Sequence, residues 1–207
     1  FSKFYYVYAI YRSSNKITKK IKSKNICWIK HDLSKEINYN IKPNVVIHCA
    51  VTHEFKKKNK INDYVESNII SLQNIIKFSN KKKISKFFNF SSFAVYNKNQ
   101  INILSITKKI AEHIIKNNKI NFLNIRLPGV LSYKLSDPRR PWLNYIISEL
   151  KMNKNISIFN KNFLFNSVID TYEIFFFLKS QIERKKMKNG TINLIASRPL
   201  QLFKLIN

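Results

Sequence analysis

The sequence predicts an α/β fold built on a doubly wound parallel sheet, and three observations support this. Short runs of aromatic and β-branched residues have the length and composition of strands. The middle runs are apolar on both faces, as strands are when helices cover both sides of a parallel sheet. Segments with helical periodicity lie between these runs, and such alternation favours right-handed β-α-β units.

The strand-like runs come first along the chain and define a core of residues 1–130. They are residues 5–12, 26–33, 44–51, 86–92 and 121–128. Two helical periods lie between the later strands. Residues 62–80 repeat apolar side chains in steps of four, three and four, and residues 104–116 carry an isoleucine stripe. The repeating residues are Val65, Ile69, Leu72 and Ile76 in the first helix and Ile106, Ile110 and Ile114 in the second.

A smaller α/β lobe is predicted from residue 131 to residue 207, where the pattern of the chain changes. After a loop, the sequence favours a helix, two short strands, a second helix, a strand and the start of a last helix. The corresponding ranges are 142–152, 156–159, 165–170, about 170–184, 191–197 and 199–207.

The net charge of +27 at pH 7 first suggests a polyanionic partner such as nucleic acid. However, lysine, asparagine and isoleucine are abundant together while glycine occurs twice, which is typical of an AT-rich coding sequence. The lysines also lie in scattered loop runs, and no nucleic-acid recognition motif accompanies them. We therefore expect salt-sensitive, nonspecific adherence to polyanions and no specific nucleic-acid partner, with a selected basic surface as the alternative.

Cysteine usage and hydropathy favour a cytoplasmic protein without a membrane span. Cys27 and Cys49 both lie in apolar runs, where cysteine usually acts as a small buried residue. Two cysteines provide neither a disulfide framework nor a zinc spacing, so no metal site is predicted. No apolar run approaches about 18 residues, the length that would predict a transmembrane helix.

Four polar features follow the predicted strands in a fixed order. Asp32 ends one strand, the run "NVVIHCAV" ends in small residues, and Ser91 and Ser92 end the strand "KFFNFSS". Lys108 then lies on a helix that precedes "NIRLPGV". Each feature alone has an ordinary explanation as a cap, a turn or a solvated lysine. Their order in an alternating α/β chain favours a binding site.

These blocks resemble the NAD-dependent epimerase/dehydratase family, the extended short-chain dehydrogenases/reductases that act on nucleotide sugars. The matching blocks are "HDL", "KPNVVIHCAV", Asn68 in "VESNIISLQNII", "FSSFAVYN", "SITKKIAE", "IRLPGVLS" and "FNSVID". The resemblance implies a Rossmann-like fold, NAD or NADP as cofactor, and hydride-transfer chemistry on a nucleotide sugar of the UDP-sugar type. It also implies a possible homodimer formed through two helices of the core.

For the adenine half of the cofactor, the resemblance implies that Asp32 bonds the adenine amine with Leu33 packing nearby. Three residues would line the phosphates and the ribose, namely Cys49, Ala50 and Val51. Arg12 closes a strand at which NAD-preferring members usually carry an acid, so it could receive a 2′-phosphate and favour NADP. A solvated arginine at a strand end is the equal alternative.

For the nicotinamide half, the resemblance implies that Asn68 braces the strands of the site and that Pro128 lies against the nicotinamide. Ser92 would bond a sugar hydroxyl and the catalytic tyrosine of the family. Lys108 would bind the nicotinamide ribose, and its charge would lower the pKa of that tyrosine. A tyrosine with a pKa near 10 needs such a cation to accept a proton near pH 7.

Two departures from the family pattern stand out. The only glycines are Gly129 and Gly190, so a G-x-x-G-x-x-G loop for the pyrophosphate is absent from these residues. Residues 1–12 resemble the end of the first helix and the second strand, so we expect a sheet that lacks its first, central strand. The tyrosine position, four residues before Lys108, is Leu104, which cannot transfer a proton.

The departures predict impaired catalysis, and Tyr96 is not expected to replace the tyrosine because it belongs to the strand-end block. Two alternatives stay open at this point. One is a regulatory relative that binds NAD(P) without catalysis, and the other is a basic nucleic-acid-binding protein.

Overall fold

Parallel strands separated by helices form the described part of the chain, as the sequence predicts. The computed structural model describes residues 1–13, 21–52, 60–96, 102–131, 141–157, 162, 164–165, 168–201 and 203–204. The strands are β1 (Val7–Tyr11), β2 (Ile26–Lys30), β3 (Val45–His48), β4 (Lys86–Ser92), β5 (Phe122–Leu127), β6 (Gly129–Leu131), β7 (Leu164–Phe165), β8 (Val168–Asp170), β9 (Gly190–Asn193) and β10 (Leu200–Gln201). The helices are α1 (Ile61–Val65), α2 (Ser71–Lys81), α3 (Ile103–Lys116), α4 (Pro141–Lys151) and α5 (Thr171–Glu183).

Two parallel sheets contain the strands of the first part of the chain, and the second sheet also includes β9 from the C-terminal part. β1 pairs with β2, with Val7 opposite Ile26. The second sheet has the order β3-β4-β5-β9. Among the described residues no ladder joins β1 to β3, so each of these strands has one edge without a strand partner. This agrees with the expectation that the sheet lacks a central strand, which would pair with both β1 and β3.

Helices cover both faces of the second sheet, which confirms the doubly wound arrangement. Successive residues of β4 point to opposite faces, so Phe87 and Phe88 enter different cores. Phe87 packs with Leu72 of α2 and Ile115 of α3, while Phe88 packs with Leu178 of α5. The position of α3 on one face and α5 on the other follows from this alternation.

Two isoleucines of the α3 stripe, Ile106 and Ile110, lie on the surface, while Ile114 is partly buried and packs against the core. Ile106 is 39% exposed and Ile110 is 44% exposed. The inward face of α3 instead carries Leu104, Ala111 and Ile115. The segment is helical, as its periodicity predicts. The face of α3 that packs on the sheet is the one that carries Ala111 and Ile115 toward Phe87.

Lys86 at the start of β4 fastens α5 to the sheet. Its buried ammonium donates to the carbonyl oxygens of Gln181 at 3.1 Å, Ile182 at 2.5 Å and Arg184 at 2.5 Å. These carbonyls lie at the C-terminus of α5, where a helix has unpaired acceptors and favours a cation. A side chain from β4 therefore supplies hydrogen-bond donors to the C-terminal end of α5, the helix that packs on this face of the sheet.

The C-terminal part follows the prediction with two differences. The helix expected at 142–152 is α4, and the one expected at about 170–184 is α5, which Asp170 caps by accepting from the amides of Tyr172 and Glu173. The prediction of a helix from residue 199 was wrong for Leu200–Gln201, which pair antiparallel with β7. Residues 156–157 are not a strand, and 158–159 lie outside the described residues. The division at residue 130 stays a prediction.

Candidate functional site

The C-terminal end of β4 brings together several of the predicted site residues. Lys108 reaches it from α3, where its side chain lies under the helix with 6% of its surface exposed. The ammonium donates to the carbonyl oxygen of Phe90 at 2.7 Å. Burial lowers the pKa of Lys108 to about 8, and the nearby Cys49 and Glu112 oppose this shift. The lysine is therefore a held, desolvated cation and not a solvated one.

Leu104 lies one turn before Lys108 on the same face of α3, because residues four apart on a helix are neighbours. Its side chain is buried, with 8% exposed. The hydrocarbon of Leu104 can pack there but can neither donate nor accept a proton. This is the position at which the resemblance implies a tyrosine, and leucine supplies no hydroxyl there.

Asn68 connects the end of the third strand to α3. It lies in a π-helical turn, Glu66–Ile70, between α1 and α2. Its side-chain oxygen accepts from the amide of Thr52 at 2.8 Å, and its NH2 group donates to the hydroxyl of Thr107 at 3.0 Å. A π-helical turn is rare and often marks a functional site. These contacts support the bracing role that the resemblance implies and give no direct reason to assign Asn68 to the cofactor.

Ser91 and Ser92 leave β4 in opposite directions. Ser92 accepts from the amide of Ala94 at 3.1 Å and so caps the short 3-10 helix Phe93–Tyr96. Its hydroxyl hydrogen is left to donate, which suits the role predicted for it toward a sugar hydroxyl. Ser91 is buried and donates to Glu112 at 2.5 Å.

Glu112 organises a charged network that the sequence analysis did not identify. Arg126 of β5 binds it in a bidentate pair, Nε to Oε1 at 2.9 Å and Nη2 to Oε2 at 2.6 Å. Arg126 also donates to the hydroxyl of Tyr96 at 2.5 Å, and Tyr96 donates to Asn193 at 2.8 Å. The carboxylate raises the pKa of Arg126 above its usual range. The hydroxyl of Tyr96 is thus engaged by Arg126 and Asn193, which agrees with the expectation that Tyr96 does not replace a tyrosine at position 104.

The signal for Glu112 was present in the sequence. Residues 104, 108 and 112 follow one another at four-residue intervals in a helix, so a carboxylate at 112 lies on the same face as Lys108. Reading that face as a unit would have placed an acid beside the strand-end serines.

A ladder of polar side chains crosses the second sheet. It lies two positions before Ser91 in β4 and two positions before Arg126 in β5, on the N-terminal side of both. His48, Asn89, Asn124 and Thr191 are opposite one another in β3, β4, β5 and β9. His48 Nδ1 bonds Asn89 Oδ1 at 3.0 Å, and Asn89 donates to Asn124 Oδ1 at 3.0 Å. Asn124 donates to the hydroxyl of Thr191 at 3.4 Å. His48, Asn89 and Asn124 are buried under the helices of this face.

Asp32 and Arg12 lie near each other at the ends of β2 and β1. Asp32 is exposed and accepts from the amide of Ser34 at 3.0 Å. This bond, with a smaller contribution from the charge of Arg12, lowers the pKa of Asp32. An ionised carboxylate and a guanidinium thus lie near each other at this edge. Leu33, by contrast, packs against the core, and its carbonyl accepts from Asn74 at 3.0 Å.

Cys49, directly after β3, lies close enough to Lys108 for each to act on the pKa of the other. Cys49 is exposed on one side but otherwise surrounded by protein, which raises the pKa of its thiol to about 11. Ala50 and Val51 follow with half-buried side chains, and Pro128 is half-buried where β5 passes into β6. Among the described residues no cluster of three or more metal-ligating side chains occurs.

Most of the chain matches the model of one protein family. Residues 2–162 match the model described as the NAD dependent epimerase/dehydratase family. The chain belongs to this family. Because the match covers more than half of the 207 residues, it confirms the resemblance that the sequence blocks indicated. No curated protein matches the chain significantly.

Solved structures of similar fold include three enzymes. The enzyme WbmG of Bordetella bronchiseptica in complex with NAD is 13% identical with a TM-score of 0.74, and 96% of this chain covers 67% of that one. A UDP-N-acetylglucosamine 4-epimerase from Methanobrevibacter ruminantium M1, in complex with UDP-N-acetylmuramic acid, is 19% identical with a TM-score of 0.76, and 97% of this chain covers 72% of it.

A UDP-glucuronic acid 4-epimerase from Bacillus cereus in complex with NAD is 19% identical with a TM-score of 0.68, and 89% of this chain covers 65% of it. The chain therefore spans about two thirds of the solved chains that it resembles. At these identities the likeness shows the fold, and it confirms the Rossmann-like architecture of this family member. None of the described helices has the length and apolar content needed to cross a membrane.

Proposed function

We propose that this chain is an NAD(P)-dependent nucleotide-sugar epimerase/dehydratase-type protein whose catalysis is impaired at Leu104. The observation that carries the proposal is the buried Lys108, held by the carbonyl of Phe90 at the end of β4. A cation fixed at this point can bind the hydroxyls of a nicotinamide ribose. The fold neighbours were solved with NAD or with UDP-linked sugars, which supports this cofactor and this class of substrate.

The described residues fit two parts of such a cofactor and leave a third part unprovided. In this proposal Lys108 and Pro128 hold the nicotinamide end, and Asp32 and Arg12 hold the adenine end. The pyrophosphate needs closely approaching backbone amides, and the two glycines of the chain, Gly129 and Gly190, lie in β6 and β9 instead. Bound NAD(P) supplies hydride transfer, while the protein must bind, orient and move a proton.

The proton step is the one for which the proposed site, among the described residues, lacks a tyrosine. Ser92 can donate to a substrate hydroxyl, and Lys108 can hold the ribose and stabilise a neighbouring anion. Neither Leu104 nor the committed Tyr96 can accept the hydroxyl proton at this site. We therefore propose that the chain binds NAD(P) weakly and does not turn over a nucleotide sugar at an appreciable rate.

Titration calorimetry and fluorescence with NADH and NADPH test the cofactor part of the proposal. Lys108→Met is expected to weaken binding by about tenfold or more, because a charge-assisted hydrogen bond is lost. Lys109→Met is the matched control, since Lys109 is the adjacent exposed lysine of α3 and should leave binding unchanged. Equal affinity of Lys108→Met and the unaltered chain would show that Lys108 does not hold the cofactor. A comparison of NADH with NADPH also tests the role proposed for Arg12.

Turnover assays test the catalytic part. The unaltered chain, incubated with NAD or NADP and a panel of UDP-sugars, is expected to give neither reduced cofactor nor an epimerised sugar. Measurable product would contradict impairment at Leu104. If NAD(P) binds without turnover and binding changes the affinity for another protein, the regulatory alternative is favoured.

We also propose that the surface isoleucines pair two copies of the chain. Ile106 and Ile110 of α3 are exposed beside Ile61 and Val65 of the packed helix α1. An exposed apolar patch on adjacent helices is typical of a protein interface. Sedimentation should give a dimer that Ile110→Lys converts to a monomer, and a monomeric unaltered chain would contradict this proposal.

A further inference from the structure

The polar ladder has a direction, and this direction fixes the proton on His48. Asn124 donates to Thr191, and Asn89 donates to Asn124, so the amide oxygen of Asn89 is the atom that faces His48. An oxygen can only accept, and His48 Nδ1 must therefore carry the hydrogen. In the neutral ring the other nitrogen, Nε2, is then an acceptor.

The Nε2 atom of His48 is the point at which the ladder ends. The side chain is 4% exposed, and among the described residues Nε2 has no hydrogen-bond partner. Buried polar atoms nearly always have one, because an unpaired acceptor loses its bond to water without replacement. Since all hydrogen bonds of the ladder point from β3 toward β9, the negative end of their combined dipole is this lone pair.

Lys108 is the charged group whose field reaches His48. Its ammonium has three donors, and one of them is used by the carbonyl of Phe90. Cys49 and Glu112 are the other titratable groups that act on Lys108, and both favour its charged form while burial disfavours it. A donor-rich cation and an acceptor without a donor thus occur in one buried region.

We propose that His48 is a positioning residue for Lys108, and that its Nε2 accepts a hydrogen bond from the ammonium through one buried water. The ladder selects the Nδ1–H form of the ring, which presents the lone pair to the cation. The opposite form would present an N–H dipole and repel it. The ladder across the sheet thereby favours the charged form of Lys108 and orients its side chain, although Lys108 itself belongs to α3. The inference concerns the same lysine as the proposed function but is tested without cofactor.

Nuclear magnetic resonance of the 15N-labelled, cofactor-free chain gives the first test. Long-range proton–nitrogen spectra assign the two ring nitrogens of His48 separately, and we expect Nδ1 protonated and Nε2 unprotonated at neutral pH. The more common Nε2–H form in the unaltered chain would overturn the proposal.

A titration of the Lys108 side chain, followed by its 13Cε shift, gives the second test. Asn89→Leu removes the acceptor of Nδ1–H, and we expect the pKa of Lys108 to fall by about one unit, the size of one hydrogen bond to a charged group. Thr191→Val, at the far end of the ladder, is the matched control and should leave this pKa unchanged. An unchanged lysine pKa in Asn89→Leu would overturn the proposal.

A second pair of variants covers the case in which Asn89→Leu does not fold. His48→Gln retains an acceptor at about the reach of Nε2 and should keep the Lys108 pKa, whereas His48→Leu should lower it. A residue that only fills space predicts equal pKa values in these two variants, and that result also contradicts the positioning role. NAD(P) binding can fail without affecting any of these measurements, so the two proposals are separable.

Discussion

Replacing Lys86 by methionine should destabilise the chain more than any exposed lysine replacement. The Lys86 ammonium donates to three carbonyl oxygens at the C-terminus of α5. A hydrogen bond to a charged group contributes about 1.5–3 kcal/mol, and a cation at a helix C-terminus contributes up to about 2 kcal/mol. In Lys86→Met these acceptors would lose their donor inside a packed interface.

The expected loss is smaller than three separate bonds would give. The three bonds share one ammonium, so their contributions are not additive. Gln181 and Ile182 are only partly buried and Arg184 is exposed, so their carbonyls recover some contact with water. Methionine also retains most of the buried stem. We expect the free energy of unfolding to fall by about 2–3 kcal/mol, which raises the unfolding constant about 30- to 160-fold.

Urea denaturation followed by circular dichroism measures this change as a lower midpoint with an unchanged slope. Lys185→Met is the matched control, because it removes the same charge near the same helix end from an exposed side chain. It should change stability by less than about 0.5 kcal/mol. Equal midpoints for the two variants would refute the idea that Lys86 stabilises α5 through its hydrogen bonds.

Three further perturbations test the site. Asn68→Ala removes the side chain that binds the Thr52 amide and the Thr107 hydroxyl, and it should lower the free energy of unfolding by about 2 kcal/mol. Urea denaturation measures this loss. The control Gln73→Ala changes an exposed residue and should lower the free energy of unfolding by less than about 0.5 kcal/mol. Glu112→Gln replaces a bidentate charged pair by weaker neutral bonds and should cost about 1–2 kcal/mol; a midpoint equal to that of the unaltered chain would contradict this. Burial lowers the pKa of His48 from 6.5 to about 4, so the unfolded chain binds the proton first as pH falls. Stability present above pH 6.5 should decline by about 3 kcal/mol by pH 4, and His48→Gln should remove that part of the pH dependence measured by denaturation.

The strands were predictable because their sequence signal is local. Residues 86–92 were expected as a strand and are β4, and 121–128 differs from β5 by a residue at each end. Their apolar content on both faces results directly from burial between two helical layers. The helix at 104–116 was equally local, and α3 starts one residue earlier at its Asn102 cap, which accepts from the amide of Ser105.

What depends on register could not be read from the chain. His48, Asn89 and Asn124 are single polar residues in three apolar runs, and each alone resembles an isolated exception. They form a ladder only because the strands pair with these residues opposite one another. The covered face of α3 could not be predicted for a related reason. Periodicity shows that Ile106 and Ile110 share a face, but the partner surface determines which face is covered.

Lys108 and Leu104 show opposite choices on one face of α3. A buried lysine whose pKa has fallen to about 8 costs the folded state about 3 kcal/mol below that pH, which a leucine would not. Packing alone therefore favours an apolar residue at 108, as is found at 104. Perturbed ionisable groups concentrate where a protein binds or reacts. The retained cost at Lys108 thus supports a binding role for that position, while the apolar Leu104 removes the proton-transferring group beside it.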